Sequence, residues 1–377
     1  MRLLLAGAGH AHLHLLRSLS AFRELGWDVA VVAPSAYHYY SGMGPGLLGG
    51  DYAPAETRIP VGEMTDAGGG TFLEDRLVAI EADTNRVHLA SGKTLAYDLL
   101  SCNVGSRVDA EGLEVAKDVT RNSFFPVKPI ENLYAAHQRL SKLGAEGGGS
   151  VVVVGGGPAA VEIAGNAAAL LGRRSRENGV LPPPVYLCAG GEFLRHFPER
   201  LRRISLRALE SRGVAIRRGY IRKVLSTGVE CADGSIVDAQ VVLLATGVRP
   251  PEWLEESGLA LGDDGGILVN RYLQSVSHPN VFAGGDCLSF QPKPIRRVGV
   301  HAVRQKSVLL ANLMAAAEAG GAADRELPRS FSPQSRFLLI LNLGDGRGVA
   351  AKWGLVLDGT PAFRLKDRID RRFVGSV

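Results

Sequence analysis

Apolar and polar positions along the chain fall into two similar blocks, each a short apolar run that ends in glycines and passes into a helix-forming stretch. The first reads Arg2-Leu3-Leu4-Leu5-Ala6-Gly7-Ala8-Gly9-His10-Ala11-His12, the second Val151-Val152-Val153-Val154-Gly155-Gly156-Gly157-Pro158-Ala159-Ala160. A continuous apolar run bounded by glycine is the pattern of a strand covered on both faces, as in a parallel sheet. Gly147-Gly148-Gly149, just before the second block, reads as a surface connection. The pattern predicts a helix over 159–171, a polar, proline-containing insertion over 173–184, a strand over 185–188, a helix over 199–212 and a strand over 240–245. A further strand closes at Val281-Phe282-Ala283, ahead of Gly284-Gly285-Asp286. In the tail, an antiparallel pair is predicted over 337–342 and 349–357, then a short charged helix over 365–373. Strands alternating with helices imply an α/β fold with parallel sheets.

At 377 residues the chain is long enough for two or three domains. Its 46% hydrophobic and 21% charged residues are ordinary for a soluble globular protein. The net charge of +5 is not gathered into one basic run, so no nucleic-acid partner is expected. It suits anionic dinucleotides, and a slightly basic solvated surface explains it equally well. The four cysteines, Cys102, Cys188, Cys231 and Cys287, lie far apart without CxxC spacing, which argues against a zinc site or a disulfide framework and for a reducing cytosol. No apolar run reaches the length of about 18 residues that a membrane span needs. Met1-Arg2-Leu3-Leu4-Leu5 imitates a signal peptide, but His10, His12 and His14 interrupt it and cleavage would remove the glycine motif. It reads as a strand of an unprocessed protein.

In the first block, Gly7 permits a tight turn and Gly9 lets the backbone approach a pyrophosphate at the following helix start, an arrangement that suits FAD. His12 replaces the third glycine, which questions close helix–strand packing, and the strand from Asp28 ends in Ala33-Pro34 with no acid for a ribose. His10 and His14 share a helical spacing that metal ligands use, but no local carboxylate or cysteine joins them, so no metal is expected. In the second block Gly155, Gly157 and Ala160 fit GxGxxA, and Glu162 follows. Glu162 reads either as a functional carboxylate or as an N-terminal helix acid favourable to the dipole. Asp286 can face a ligand from a strand end, or cap a helix.

With these motifs in this order, the chain resembles the flavoprotein oxidoreductases of the pyridine nucleotide-disulfide superfamily. Tyr97-Asp98, Asn103-Val104-Gly105-Ser106 and Ala245-Thr246-Gly247-Val248-Arg249-Pro250 also carry the resemblance, which spans nearly the whole chain. Within the superfamily it looks closest to the type II NADH dehydrogenases and to the reductase module fused to selenophosphate synthetase in some bacteria. Supporting residues are Gly9-His10-Ala11-His12, Tyr39-Tyr40-Ser41-Gly42-Met43, Pro45-Gly46, Ala302-Val303-Arg304-Gln305 and the tail 366–373.

The resemblance implies two Rossmann-like domains, one inserted in the other. The FAD-binding domain is expected over 1–121 and 245–325, the NAD(P)H-binding domain over 122–244, and a small C-terminal segment over 326–377. For the cofactors it implies Gly7, Gly9, His10, Ala11, Pro34, Ser41, Gly42, Met43, Leu77, Asn103, Gly105, Gly285 and Asp286, with Gly155, Gly157, Pro158, Ala159 and Gly247. Asp286 matches the residue that binds the ribityl chain. Glu162, His301 and Gln305 are the catalytic candidates, the last two because they match a quinone motif in which His301 replaces the first glutamine. A helix packed on the flavin, with His301 satisfied internally, explains the same residues.

The implied activity is passage of two electrons from NAD(P)H through FAD to an acceptor, a quinone first. The 39–50 region holds no CxxxxC pair, so a thiol relay is not expected. Sulfide:quinone-type chemistry, a selenium-linked reductase and a slow redox-sensing flavoprotein remain alternatives. The strand 185–188 ends in Ala189-Gly190 with Arg195 nearby, so use of both coenzymes with a modest bias is expected. A cytoplasmic protein is expected; the short basic tail admits only weak peripheral contact with the inner face of the cell membrane, and a homodimer is left open.

Overall fold

A computed structural model describes residues 1–191, 193–321 and 327–377. The chain divides into two compact units.

The first unit takes Met1–His38, Ile59–Arg107 and Val248–Ser335. Its centre is a five-stranded parallel sheet in the order Val281–Ala283, Leu99–Cys102, Arg2–Ala6, Asp28–Ala33, Thr71–Glu74. Leu3 pairs with Val29 on one side and Leu99 on the other, and Leu3, Leu4 and Leu5 are buried. The chain therefore builds outward in both directions from Arg2–Ala6. The crevice beyond the carboxyl ends beside that strand is where open α/β sheets take ligands. An antiparallel meander of Leu77–Glu81, Arg86–Leu89 and Thr94–Ala96 and a parallel pair of Ile267–Val269 and Leu288–Phe290 accompany it.

The second unit takes Tyr39–Arg58, Val108–Gly247 and Arg336–Val377. It repeats the plan, with the parallel order Phe124–Pro126, Val241–Leu244, Val151–Val154, Val185–Ala189, Val214–Arg218. The four valines 151–154 are central and buried. The helix Pro158–Asn178 leaves that strand and runs through the start of the predicted insertion. Residues 173–178 contain neither proline nor glycine, and Ser175 anchors them by donating to the Gly144 carbonyl at 2.9 Å. The helix stops at Gly179, whose φ of 68° is left-handed backbone.

The tail forms three antiparallel strands, Leu339–Gly344, Arg347–Lys352 and Leu355–Gly359, then the helix Thr360–Gly375. The run expected as one strand over 349–357 is a hairpin, because Trp353 and Gly354 take positive φ and turn the chain. The tail belongs to the second unit, as does 39–58. Helix Gly44–Gly49 is the reason for the latter: a Cβ at Gly44 would meet Leu133 and one at Gly49 would meet Asn166. The chain also passes between the two units after residues 107 and 247. The join expected at 325 lies outside the described residues.

Candidate functional site

In the first unit, Gly7 leaves the central strand with φ 85°, and a Cβ there would stand 2.3 Å from the Asn103 carbonyl oxygen. Only glycine fits that turn. Asn103 follows the neighbouring strand and is buried. Its Oδ1 accepts from the Ala11 N–H at 3.1 Å and its Nδ2 donates to the Gly284 carbonyl at 2.7 Å. One amide thus ties the first glycine turn to the turn before Asp286. The same side chain lies against Gly9 and Gly285, where a Cβ would approach it to 2.5 and 2.3 Å.

His12 settles the question of the missing third glycine. Its buried ring donates from Nδ1 to the Gly7 carbonyl at 2.6 Å and accepts at Nε2 from the Ser101 hydroxyl at 2.8 Å. Burial holds its pKa down at about 4, so the ring is a neutral stitch. His10 is buried beside His38, with ring nitrogens 3.3 Å apart. No group of three or more metal-ligating side chains occurs among the described residues.

Asp286 follows the outermost strand on the same carboxyl edge. Its Oδ2 accepts from the Ser106 hydroxyl at 2.8 Å, and its carbonyl accepts from Arg297 Nε at 2.8 Å. Helix Gly299–Glu318 brings His301 and Gln305 to this edge. His301, with Asp286, Arg297 and Ala302, lines a small cleft. Burial, then Arg304, pushes its imidazole below the usual range. Gln305 is fully buried, and its Oε1 accepts from the Gly285 N–H at 2.7 Å. Its Nε2 is buried without a partner among the described residues. Gly105 has φ 76° and open space above it. Open glycine backbone, a half-buried carboxylate and an orphaned amide at one switch point fit a dinucleotide. Leu77 lies instead in the core of the meander, and Pro34 is exposed after its strand.

In the second unit, Gly155 has φ 142°, and a Cβ there would meet the Ala245 carbonyl oxygen at 2.3 Å. Gly157 caps the helix, Pro158 opens it, and above Gly157 and Gly247 there is open space. Free N–H groups at this helix start favour an anion. Glu162, one turn on, accepts from the Asn342 N–H at 2.7 Å. Burial pushes its carboxyl up to about 7 against the pull of nearby Lys366. Lys366 and Asp370 form a buried pair at 2.6 Å. The Lys366 ammonium also donates to the Gly42 carbonyl at 2.5 Å, and Tyr40 donates to Asp370 at 3.2 Å. Ser41, Gly42 and Met43 thus fall in this unit, beside the tail helix. Sequence reasoning missed Asn342, Lys366, Asp370 and Tyr40. The available signal was the four-residue spacing of Ala362, Lys366 and Asp370, which places them on one helix face.

The chain is 30% identical over 235 residues to the nitrite reductase (NADH) large subunit of Escherichia coli, covering 58% of this chain and 25% of that one. It is 28% identical over 236 residues to an NADH dehydrogenase-like protein of Mycobacterium tuberculosis, covering 61% of this chain and 58% of that one. The chain therefore spans a quarter to somewhat over half of these relatives. The sulfide:quinone oxidoreductase of Aquifex aeolicus shares the fold, with a TM-score of 0.75 at 16% identity over 99% of this chain and 90% of that one. A family model described as pyridine nucleotide-disulphide oxidoreductase matches residues 1–308, both glycine turns and the Asp286 edge included, and the chain belongs to that family.

Proposed function

We propose that the chain binds FAD in its first unit and NAD(P)H in its second, and passes two electrons from NAD(P)H through the flavin to a small acceptor, a quinone first among them. The observation that carries this is the repeated sheet with a ligand-open glycine turn at each switch point. The NADH-linked names of the relatives support it.

When bound, the flavin supplies the two-electron chemistry. The residues do the rest. The turn Gly7–Gly9 and Gly105 offer backbone to the pyrophosphate, Asn103 keeps that turn aligned with Gly285, and Asp286 accepts hydrogen bonds from ribityl hydroxyls. Gly155, Gly157, Pro158 and Ala159 seat the second pyrophosphate, and Glu162 holds or releases a proton near neutral pH. His301 donates to an acceptor oxygen from the cleft beside Asp286, and Gln305 positions the Gly285 turn. The acceptor takes electrons without a thiol relay, since Cys102 and Cys287 are buried with pKa values raised by burial. The exposed Trp353 and Leu355 at the hairpin tip support a weak peripheral membrane contact as part of the same proposal.

The experiment is anaerobic reduction of the purified protein by NADH and NADPH, followed by mixing with a soluble quinone, with the two half-reactions timed separately. Flavin that is reduced by coenzyme and reoxidised by quinone is the expected result. Flavin that neither coenzyme reduces overturns the proposal, and fast reduction without quinone reoxidation overturns the acceptor.

A further inference from the structure

The carboxyl edge of the second unit's sheet has features that the glycine turn does not require. The strand Val185–Ala189 ends in Gly190-Gly191, and where a dinucleotide fold commonly places an acid for the ribose hydroxyls, this chain has Ala189. Ala189 pairs with Arg218, the last residue of the neighbouring parallel strand. Paired residues of a parallel sheet project to the same face, so Arg218 rises beside the place the acid would take. Arg218 is exposed and has no ion pair among the described residues, whereas Arg217 is engaged over the Tyr186 ring at 5.0 Å. Two residues on, Tyr220 lays its ring on Gly190, where a Cβ would come within 2.4 Å of it, and its hydroxyl reaches toward Gly191. The ring thus rests against bare backbone while Tyr220 stays 69% exposed. A large exposed aromatic held by a glycine is an adenine-sized platform. On the other flank, the Leu194 N–H donates to the Gly156 carbonyl at 2.8 Å, which sets exposed Arg195 just beyond the phosphate turn.

We propose that this edge selects NADPH: Tyr220 stacks the adenine on its open face, and Arg218 with Arg195 takes the 2′-phosphate. The assignment rests on the reading of this unit as the coenzyme site. It sharpens the expected use of both coenzymes with a modest bias into a preference that has a structural cause. Guanidinium groups grip a phosphate dianion through charge-assisted hydrogen bonds, and the ribose hydroxyl of NADH gives them no such partner.

The test is calorimetric titration of the flavin-loaded full chain with 5′-AMP and with 2′,5′-ADP, which differ only in the 2′-phosphate. The doubly phosphorylated probe should bind about ten- to a hundredfold more tightly, the scale of one charge-assisted contact. Arg218→Gln should remove most of that ratio and leave 5′-AMP within about twofold. Tyr220→Ala should weaken both probes alike, as should Gly190→Ala, which displaces the ring without altering it. Equal affinity for the two probes, or a ratio untouched by Arg218→Gln and Arg195→Gln together, overturns the assignment. So does coenzyme binding that favours NADH. Tight 2′,5′-ADP binding in a protein whose flavin neither coenzyme reduces would leave this site standing and sink the electron-transfer reading instead.

Discussion

Glu162→Gln separates the energetics of the second unit from its chemistry. The wild-type carboxyl is raised from 4.5 to about 7 in the folded protein, chiefly by burial. A group that binds its proton more tightly folded than unfolded loses stability as pH rises. The folded chain keeps the proton through the window from 4.5 to about 7 while the unfolded chain releases it. The full contribution is present below 4.5 and gone above about 7. Raising the carboxyl from 4.5 to about 7 corresponds to about 3 kcal/mol. Glutamine retains an oxygen to accept the Asn342 N–H and carries no charge, so its stability should not fall across this window on account of this site. The assay is urea unfolding of wild type and variant at half-unit steps from pH 4.5 to 8, read as the difference between them so that every other titrating group cancels. The variant should gain on the wild type with rising pH, by about 3 kcal/mol over the window. A difference that stays flat would show that Glu162 titrates normally, and would remove the basis for giving it a proton to hold at neutral pH.

Other outcomes follow from the first unit. Asn103→Ala removes two buried hydrogen bonds and strands their partners, so it should cost about 2–4 kcal/mol in urea unfolding and lower flavin retention through gel filtration. Asp286→Ala should lose flavin by a charge-assisted bond's worth, about 1.5–3 kcal/mol in FAD affinity, with the fold intact by circular dichroism. His301→Ala should slow reoxidation by quinone about ten- to a thousandfold in stopped flow and spare reduction by coenzyme. Slowing confined to reduction would make the histidine structural. Replacing all four cysteines with serine or alanine should leave coenzyme oxidation measurable, and loss of acceptor turnover with flavin still bound would revive a thiol mechanism.

The central strands and both glycine turns were legible because each combines a short apolar run with a turn only glycine can make, a signal local to about ten residues. Asn103 and Asp286 were readable as strand-end residues, though not the amide's part in joining two turns, one 92 residues before it and the other 181 residues after it. His12 looked like a defect, because a hydrogen bond to Ser101 cannot be seen from its neighbours. The tail was misjudged for the same reason. Lys366 and Asp370 read only as part of a short, charged tail helix, and only packing against 39–58 and Glu162 makes them a buried pair. Helix Pro158–Asn178 outran its prediction because polar residues 173–178 carry no breaker, so composition misled where capping at Gly179 decides the end.

The amide of Asn103 and the grip of Gln305 on Gly285 also bear on how the protein is made. The phosphate turn ends at residue 9, and the glutamine that fixes its opposite wall is residue 305. At about 5–20 residues per second, a ribosome takes roughly 15–60 s to span that interval. Through most of it the nascent chain has the Asn103 side of that turn but not the glutamine that holds Gly285. Flavin capture therefore matures late in translation, and a chain stalled or truncated before Gly299–Glu318 lacks the glutamine that holds the Gly285 turn and should retain its cofactor less well.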